Sequence, residues 1–202
     1  MSQIALPLDL RGQSDPDRIV IGSANRAVYE ALSDPAAWPF RTAVLTGPAR
    51  SGKSLLGKWA ASQGVSVVDD ADSVDETELF HRWNAAQESG EPLLLISNSQ
   101  PWDIDLPDLR SRLGGSLQLE IGSPDDDMIG QLIETIAAQR GLSLAEGATQ
   151  YLVPRVERSF AGIESLVGAI DRLSLERKHP ATMSIWRDAL DQVQGPEQAR
   201  LL

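Results

Sequence analysis

Short apolar runs alternate with longer amphipathic stretches from residue 19 to about residue 121. Four of the runs are rich in Val, Leu and Ile and are bounded by glycine, proline or acidic residues, which is typical of buried strands. They comprise residues 43–46, 65–68, 93–97 and 117–121. Helices are predicted at residues 24–32, where Ser23 can serve as the cap, after the first strand to about residue 63, and at 76–88. Strands that alternate with helices predict an α/β fold with a parallel sheet and helices on both faces.

Beyond the fourth run the pattern is helical throughout. Ser123 and Pro124, followed by Asp126, have the cap, first-turn proline and acid of a helix start, and Ser143 with Glu146 repeats the capping box. The strongest helical stripe is formed by Ile163, Leu166, Val167, Ile170 and Leu173. We therefore divide the chain into a flexible arm, an α/β domain and a helical lid domain, at residues 1–18, 19–122 and 123–202.

Charge and composition narrow the classes of function. The formal net charge is −11 and only three residues are lysine. Proteins that bind duplex DNA directly usually present a basic surface, so we expect contact with DNA only through another protein. Cysteine is absent, which excludes disulfides, zinc–thiolate sites and cysteine nucleophiles and fits a reducing cytoplasm. No apolar stretch approaches the ~20 residues of a membrane span, so no membrane association is expected.

The segment after the first predicted strand carries the most specific motif of the chain. It has the pattern G-x-x-x-x-G-K-S, formed by Gly47, Pro48, Ala49, Arg50, Ser51, Gly52, Lys53 and Ser54. Such a loop wraps phosphates with its backbone N–H groups at the start of a helix whose dipole favours anions. Lys53 is expected to reach the β- and γ-phosphates and Ser54 to bind Mg²⁺. We include Leu55, the next residue, among the predicted nucleotide contacts.

A pair of carboxylates ends the second apolar run. Asp69 is predicted to hold Mg²⁺, and Asp70 to orient or deprotonate the attacking water, because P-loop proteins place acids at the end of such a strand. The alternative is that both are solvated loop acids, since Asp72 and Asp75 follow closely.

Together these motifs resemble the AAA+ domain of the DnaA family, and more closely its Hda branch, the regulatory inactivators of DnaA. The resemblance covers nearly the whole chain and implies that ADP or ATP binds with Mg²⁺. Residues 19–26 are similar to the family's adenine-binding stretch. The resemblance implies that Val20 and Ile21 line the base pocket and that Gly22 and Asn25 shape it.

The arm at residues 1–18 contains a second element of the resemblance. Gln3, Ile4, Leu6 and Leu8 belong to a hexapeptide similar to the family's motif for the DNA polymerase sliding clamp, the β subunit. The two leucines would enter an apolar pocket while the Gln3 amide hydrogen-bonds beside it. By itself such a hexapeptide is a weak signal, because stray leucines are common in polar arms.

Residues 106–113 resemble the segment that carries the family's arginine finger. Arg112 falls on the finger position and Arg110 is a second candidate. Without the resemblance, a solvated arginine at a helix end would be the preferred interpretation. A finger offers its guanidinium to a nucleotide on a neighbouring subunit, where it stabilises charge on the transferring phosphoryl group.

The chain also departs from the family pattern. The aspartate that the family uses as sensor 1 falls at Ser99, beside Asn98, which could orient water instead. The sensor 2 arginine falls at Ala161; its loss should slow hydrolysis and favour a bound diphosphate. The interval between Lys53 and Asp69 is short, which leaves no room for the family's single-strand-binding helices and leaves open whether the sheet has one strand fewer.

The resemblance implies an adaptor that binds the sliding clamp and acts in trans on the ATP of the initiator DnaA, which limits re-initiation. Slow intrinsic ATP hydrolysis at most is expected. The alternatives are a helicase-loader-like AAA+ protein and a stand-alone P-loop ATPase or kinase. Self-assembly into a homo-oligomer stays open.

Overall fold

The computed structural model describes residues 19–195 and has a parallel sheet at its centre. Four strands form the sheet in the order β2-β3-β1-β4. Their bounds are Thr42–Thr46 for β1, Ser66–Val68 for β2, Leu93–Ile96 for β3 and Leu117–Glu120 for β4. All three pairings are parallel, as a chain that alternates strands with helices requires.

Strand β1 lies in the middle of the sheet because both of its edges are paired. Ala43 lies opposite Leu94 of β3 on one side and Leu117 of β4 on the other. The first four residues of β1 are buried, including Thr42, as expected for a strand that is covered on both faces. The segment that follows β1 therefore begins at the end of an interior strand of the sheet.

The helices of the α/β part pack on both faces of the sheet. They comprise α1 (Arg26–Leu32), α2 (Lys53–Ser62), α3 (Glu76–Ser89) and α4 (Pro107–Gly114), with 3₁₀ turns at Pro35–Ala37, Pro39–Arg41 and Ala71–Ser73. Ala43 and Leu45 belong to the apolar cluster beneath α1 and α2, whereas Val44 belongs to the cluster beneath α3 and α4. This alternation places a separate core on each face, as successive strand side chains point in opposite directions.

Four further helices follow the last strand. They are α5 (Asp126–Gln139), α6 (Ala148–Leu152), α7 (Phe160–Arg177) and α8 (Met183–Gln194). Their apolar faces form a third cluster, in which the predicted stripe of α7 is buried almost completely. Met128 of α5 and Phe160 of α7 pack instead into the cluster beneath α1 and α2, so the two parts of the chain are in contact.

The predicted α/β class is confirmed, including the parallel sheet followed by helices. Within residues 19–195 the sheet has four strands, and the interval from Lys53 to Asp69 holds only α2 and β2. The proposed division between residues 122 and 123 stays a prediction. None of the helices in the described range is long and apolar enough to span a membrane.

Several predicted helix starts are wrong. Helix α1 begins at Arg26 rather than near Ser23. The Asn25 carboxamide accepts a hydrogen bond from the Gly22 N–H at 2.9 Å, across the turn that precedes the helix. Asp125, not Ser123, caps α5 by accepting from the Met128 N–H.

The expected capping box at residues 143–146 is also wrong. Leu144 forms an isolated bridge with Ala181, and α6 starts only at Ala148. The helix α4 had not been predicted as an element, although Pro107 at its first position is a common start signal.

Candidate nucleotide-binding site

The loop between β1 and α2 has a backbone that only certain residues can adopt. Gly47 has φ +153° and its missing side chain leaves room for Ile121, whose Cβ lies 2.9 Å from where a Gly47 Cβ would be. Arg50 and Gly52 are left-handed, with φ of +64° and +86°. A Cβ on Gly52 would enter open space. The first residue of the loop therefore packs against Ile121, directly after β4. Gly52, at the other end of the loop before α2, faces open space.

Two polar side chains of the loop are buried and do not use all of their hydrogen-bonding groups. Ser51 is 5% exposed, and its hydroxyl has no hydrogen-bond partner among the described residues. Lys53 is equally buried, and its ammonium donates to the Gly47 and Pro48 carbonyls at 2.9 and 3.0 Å. An ammonium has three donors, so one remains for a ligand. An orphaned hydroxyl and a spare ammonium donor are what a bound oxyanion would satisfy.

The electrostatics of Lys53 reflect burial next to acids. Burial lowers the pKa of the Lys53 ammonium, and the negative charges of Asp69, Asp72 and Asp70 partly offset that effect. The positive charge at the loop is therefore accompanied by three carboxylates that follow β2.

A cavity of about 380 Å³ opens beside the loop and is bounded on its far side by the lid helices. Of the predicted nucleotide contacts, it is lined by Val20, Asn25, Arg50, Ser51, Gly52, Lys53, Ser54 and Leu55. Its apolar walls come from Ile19, Val20 and Leu55, and from lid residues that include Met128, Leu132 and Phe160. An apolar chamber that ends at a phosphate-type loop suits a flat base joined to charged groups.

The remaining predicted contacts do not line this cavity. Ile21 and Gly22 are not among its lining residues. Gly22 packs against Met128 instead, since a Cβ on Gly22 would be 2.8 Å from Met128 Cγ. Asn25 explains the shape of this stretch, since its carboxamide binds the Gly22 N–H and donates to the Val20 carbonyl at 2.9 Å. Gly47, Pro48 and Ala49 form the turn that leads into the cradle.

The predicted acids and the sensor 1 candidate meet at the ends of β2 and β3. Asn98 lines the cavity, and its side-chain N–H donates to Asp70 Oδ1 at 2.5 Å. Asp70 is left-handed, with φ +51°. The Asp69 carboxylate accepts from the Asp70 N–H at 3.1 Å and otherwise faces solvent.

Asp72 has a larger part in this corner than its sequence position indicated. It accepts hydrogen bonds from the Ser99 hydroxyl at 2.7 Å and the Asn98 N–H at 3.2 Å. Burial would raise the pKa of the Asp72 carboxyl, but these hydrogen bonds outweigh it and hold the pKa below its ordinary value. Asp72 thus fixes the backbone that carries Asn98.

The lid reaches the loop through an ion pair that the sequence did not suggest. Arg50 Nε donates to Glu164 Oε2 at 2.5 Å, and Arg50 Nη2 donates to Glu164 Oε1. Glu164 and Arg140 line the cavity together with the loop. Ala161, at the sensor 2 position, lines a neighbouring cavity instead. Glu164 lies one helical turn further along α7, which is why the motif alone did not identify it.

The predicted arginine finger lies away from this cavity, on α4. The Arg112 guanidinium is held between the rings of Phe80 and Trp83, at 4.3 and 4.4 Å from the ring centroids. It also donates to the Asn84 carboxamide oxygen. Arg110 is exposed and donates through Nε to the Ile104 carbonyl at 2.6 Å. Gln3, Ile4, Leu6 and Leu8 lie outside the described residues.

Comparison with known proteins supports the fold. No protein-family model matches the chain. It is 29% identical over 137 residues to an uncharacterized protein of Haemophilus influenzae, which covers 64% of this chain and 59% of that protein. It is 28% identical over 149 residues to the chromosomal replication initiator protein DnaA of Magnetococcus marinus, which covers 68% of this chain and 33% of that protein. The chain therefore spans less than two thirds of the length of the first relative and about one third of the second.

Solved structures agree over a longer range. Domain III of the Thermotoga maritima replication initiation protein DnaA matches with a TM-score of 0.76 and 15% identity, over 94% of this chain and all of that one. AMPPCP-bound DnaA from Aquifex aeolicus matches with a TM-score of 0.61 and 20% identity, over 84% of this chain and 69% of that one. The chain thus has the AAA+ fold of DnaA domain III and a weak sequence similarity to DnaA.

Proposed function

We propose that the chain binds an adenine nucleotide, ADP or ATP, in the cavity between the G-x-x-x-x-G-K-S loop and the lid. The observation that carries this proposal is the buried, unpartnered Ser51 hydroxyl beside the buried Lys53 ammonium, in a loop that opens into an apolar chamber. Support also comes from the AMPPCP-bound DnaA of similar fold. In this assignment Lys53 and the loop N–H groups hold the phosphates, and Val20, Leu55 and Met128 pack on the base.

Mg²⁺ would be held by Ser54 and Asp69 together with the phosphates. Residues 19–195 contain no cluster of three or more acids or histidines that could hold a metal by themselves. Mg²⁺ in nucleotide sites usually keeps one or two protein ligands and takes the rest from phosphates and water. The ion would neutralise phosphate charge, while Asn98 and Asp70 would orient a water near the phosphates.

We further propose that this nucleotide-binding domain regulates replication initiation by acting on the initiator DnaA. The arm would bind the sliding clamp through Gln3, Ile4, Leu6 and Leu8, and Arg112 would stabilise charge on the ATP held by DnaA. What supports this is the motif-level resemblance of the arm and of the Arg112 segment, together with the AAA+ fold and the weak similarity to DnaA. The charge of −11 favours contact with DNA through the clamp rather than directly.

The nucleotide proposal is tested by isothermal titration of the purified protein with ADP and with AMPPCP in the presence of Mg²⁺. Saturable binding of either is expected. Failure of both to bind at millimolar concentration would remove the proposal.

The regulatory proposal is tested with DnaA loaded with labelled ATP and with DNA-loaded clamp. The chain should accelerate hydrolysis of that ATP, and Gln3→Ala with Leu6→Ala should abolish clamp binding in gel filtration. Arg112→Ala should abolish the acceleration, while Arg110→Ala, which removes the same charge two positions away, should retain it. Absence of any acceleration by the parent chain would favour the helicase-loader-like alternative.

A further inference from the structure

The ion pair between Arg50 and Glu164 joins two distant parts of the chain at the mouth of the phosphate cradle. Arg50 lies at the left-handed apex of the loop, and Glu164 lies on α7 of the lid. The contact is bidentate, which fixes the two side chains relative to each other more tightly than a single hydrogen bond would. The Glu164 side chain is 26% exposed and that of Arg50 is 62% exposed.

The charges that face the cavity make Glu164 unusual. Among the described residues that line it, the cations are Arg50, Lys53 and Arg140, and Glu164 is the one acid. The Lys53 ammonium lies against two loop carbonyls. Arg140 is paired with Asp171 at 3.7 Å. Arg50 is thus the cation at the open end of the loop, and it is paired with Glu164.

From this arrangement we infer that Glu164 is a specificity-determining residue of the nucleotide site: it discriminates against a third phosphate by competing for the Arg50 guanidinium. The inference rests on the proposed binding of an adenine nucleotide. A diphosphate can occupy the inner cradle of N–H groups and Lys53 while the ion pair stays intact. A third phosphate brings another negative charge toward a carboxylate, and Arg50 can add its charge to those of Lys53 and Mg²⁺ only by separating from Glu164.

Two substitutions then have opposite effects on one measured quantity, the ratio of ADP affinity to AMPPCP affinity. Glu164→Gln keeps the shape and one hydrogen-bond acceptor but removes the charge, so Arg50 becomes available to the third phosphate. The ratio should fall by about tenfold, the size expected for one partly exposed charge within a few ångströms. Arg50→Ala leaves the Glu164 carboxylate uncompensated, so the ratio should rise above that of the parent protein.

The measurement is isothermal titration of the parent and each variant with ADP and with AMPPCP, both with Mg²⁺. Glu134→Gln is the matched control, because Glu134 is an exposed glutamate of the lid helix α5 that lines neither this cavity nor the adjoining one. The control should keep the parent ratio. Thermal unfolding of each variant without nucleotide separates an effect on the lid fold from an effect on selectivity, since loss of fold would weaken both nucleotides equally.

Opposite shifts of the ratio in the two variants support the inference. An unchanged ratio in Glu164→Gln, with both nucleotides still bound, overturns it and leaves the proposed nucleotide site in place; the pair is then an ordinary surface ion pair. Equal weakening of both nucleotides in Glu164→Gln also overturns it, since the residue then serves only the lid fold. If the parent protein binds neither nucleotide, the proposed function fails and the inference fails with it.

Discussion

The stacked arginine on α4 allows a stability prediction that separates two neighbouring cations. Arg112 lies between the Phe80 and Trp83 rings and donates to Asn84, whereas Arg110 is exposed with one hydrogen bond to a backbone carbonyl. Replacing Arg112 by alanine removes both ring contacts and leaves the Asn84 carboxamide without that partner. Replacing Arg110 by alanine removes one partly buried hydrogen bond to the Ile104 carbonyl.

The expected size follows from these contacts. Each cation–π contact contributes about 0.5–1 kcal/mol at a partly exposed site, and the hydrogen bond to Asn84 adds about 1 kcal/mol. Arg112→Ala should therefore lower the free energy of unfolding by about 2–3 kcal/mol, because the stem of the side chain also packs on the rings. Arg110→Ala should lower it by no more than about 1 kcal/mol.

Urea unfolding followed by far-ultraviolet circular dichroism measures both differences. Tryptophan fluorescence provides a second probe, since Trp83 itself contacts Arg112. Agreement of the two probes is needed before a single unfolding free energy is assigned. A value for Arg112→Ala within about 0.5 kcal/mol of the parent, the usual range for surface substitutions, would show that the stacking has no energetic weight.

The energy of these Arg112 contacts also affects the proposed action of Arg112 on the ATP of a partner. If Arg112 leaves the two rings and Asn84 to enter a partner's nucleotide site, about 2–3 kcal/mol of these contacts is lost, which is roughly 30- to 150-fold in rate. An arginine finger can contribute about 10³–10⁵ in rate, so a large acceleration survives this loss.

Three further predictions concern the loop and its acids. Lys53→Ala should weaken ADP binding at least about tenfold, the contribution of one charge-assisted hydrogen bond, as measured by titration and by chromatography of nucleotide released from denatured protein. Gly47→Ala should lower the free energy of unfolding by about 3 kcal/mol, because the new Cβ would overlap Ile121. Gly52→Ala should lower it by only about 1–2 kcal/mol, because Gly52 has a positive φ but open space around it, and should mainly impair nucleotide binding. The lowered pKa of the Asp72 carboxyl means that folding favours its ionised form; that stabilisation is present above about pH 4, the ordinary aspartate pKa, and is lost as the pH falls below it. Asp72→Asn should therefore flatten the acid limb of a plot of thermal unfolding temperature against pH.

Each of these has an outcome that contradicts it. Unchanged ADP affinity in Lys53→Ala would place the phosphates elsewhere. Equal stability of the two glycine variants would contradict the close contact between Gly47 and Ile121. An acid limb of the same slope in Asp72→Asn would mean that other carboxyls determine the loss of stability at low pH. The control is Asp103→Asn, because Asp103 is exposed. Asp75 is unsuitable as a control because it caps α3.

The sheet and the phosphate loop could be predicted because their signals are local. Each strand is a short apolar run between breakers, and the loop motif fixes its own backbone through Gly47 and Gly52. The contact between Asp70 and Asn98 was not predicted, although the carboxyl ends of adjacent parallel strands such as β2 and β3 lie at one edge of a sheet. The predicted elements differed from the structure mainly at helix ends, where capping groups compete. At the start of α1 the Asn25 side chain makes no capping hydrogen bond and binds the preceding segment instead, accepting from the Gly22 N–H and donating to the Val20 carbonyl.

Contacts between distant segments could not be predicted in this way. Nothing in residues 159–162 indicates that Glu164, one turn later, reaches Arg50, since that depends on how α7 is placed over the loop. The stacking of Arg112 on α3 depends likewise on the packing of α4 against α3. The significance of Asp72 was missed because acids in a loop look alike until their hydrogen-bond partners are known.

The position of β1 in the sheet has a consequence for protein synthesis. Its second neighbour β4 begins at Leu117, and Ile121, which closes against Gly47, follows β4. At about 5–20 residues per second, a ribosome needs roughly 4–15 s to pass from β1 to β4. During that interval β1 lacks its partner β4, and until β3 has been made both edges of β1 are unpaired. The loop after β1 has no Ile121 to pack against before residue 121 has been made. A translational pause before that point would prolong the exposure of β1, whose first four residues are buried in the folded protein.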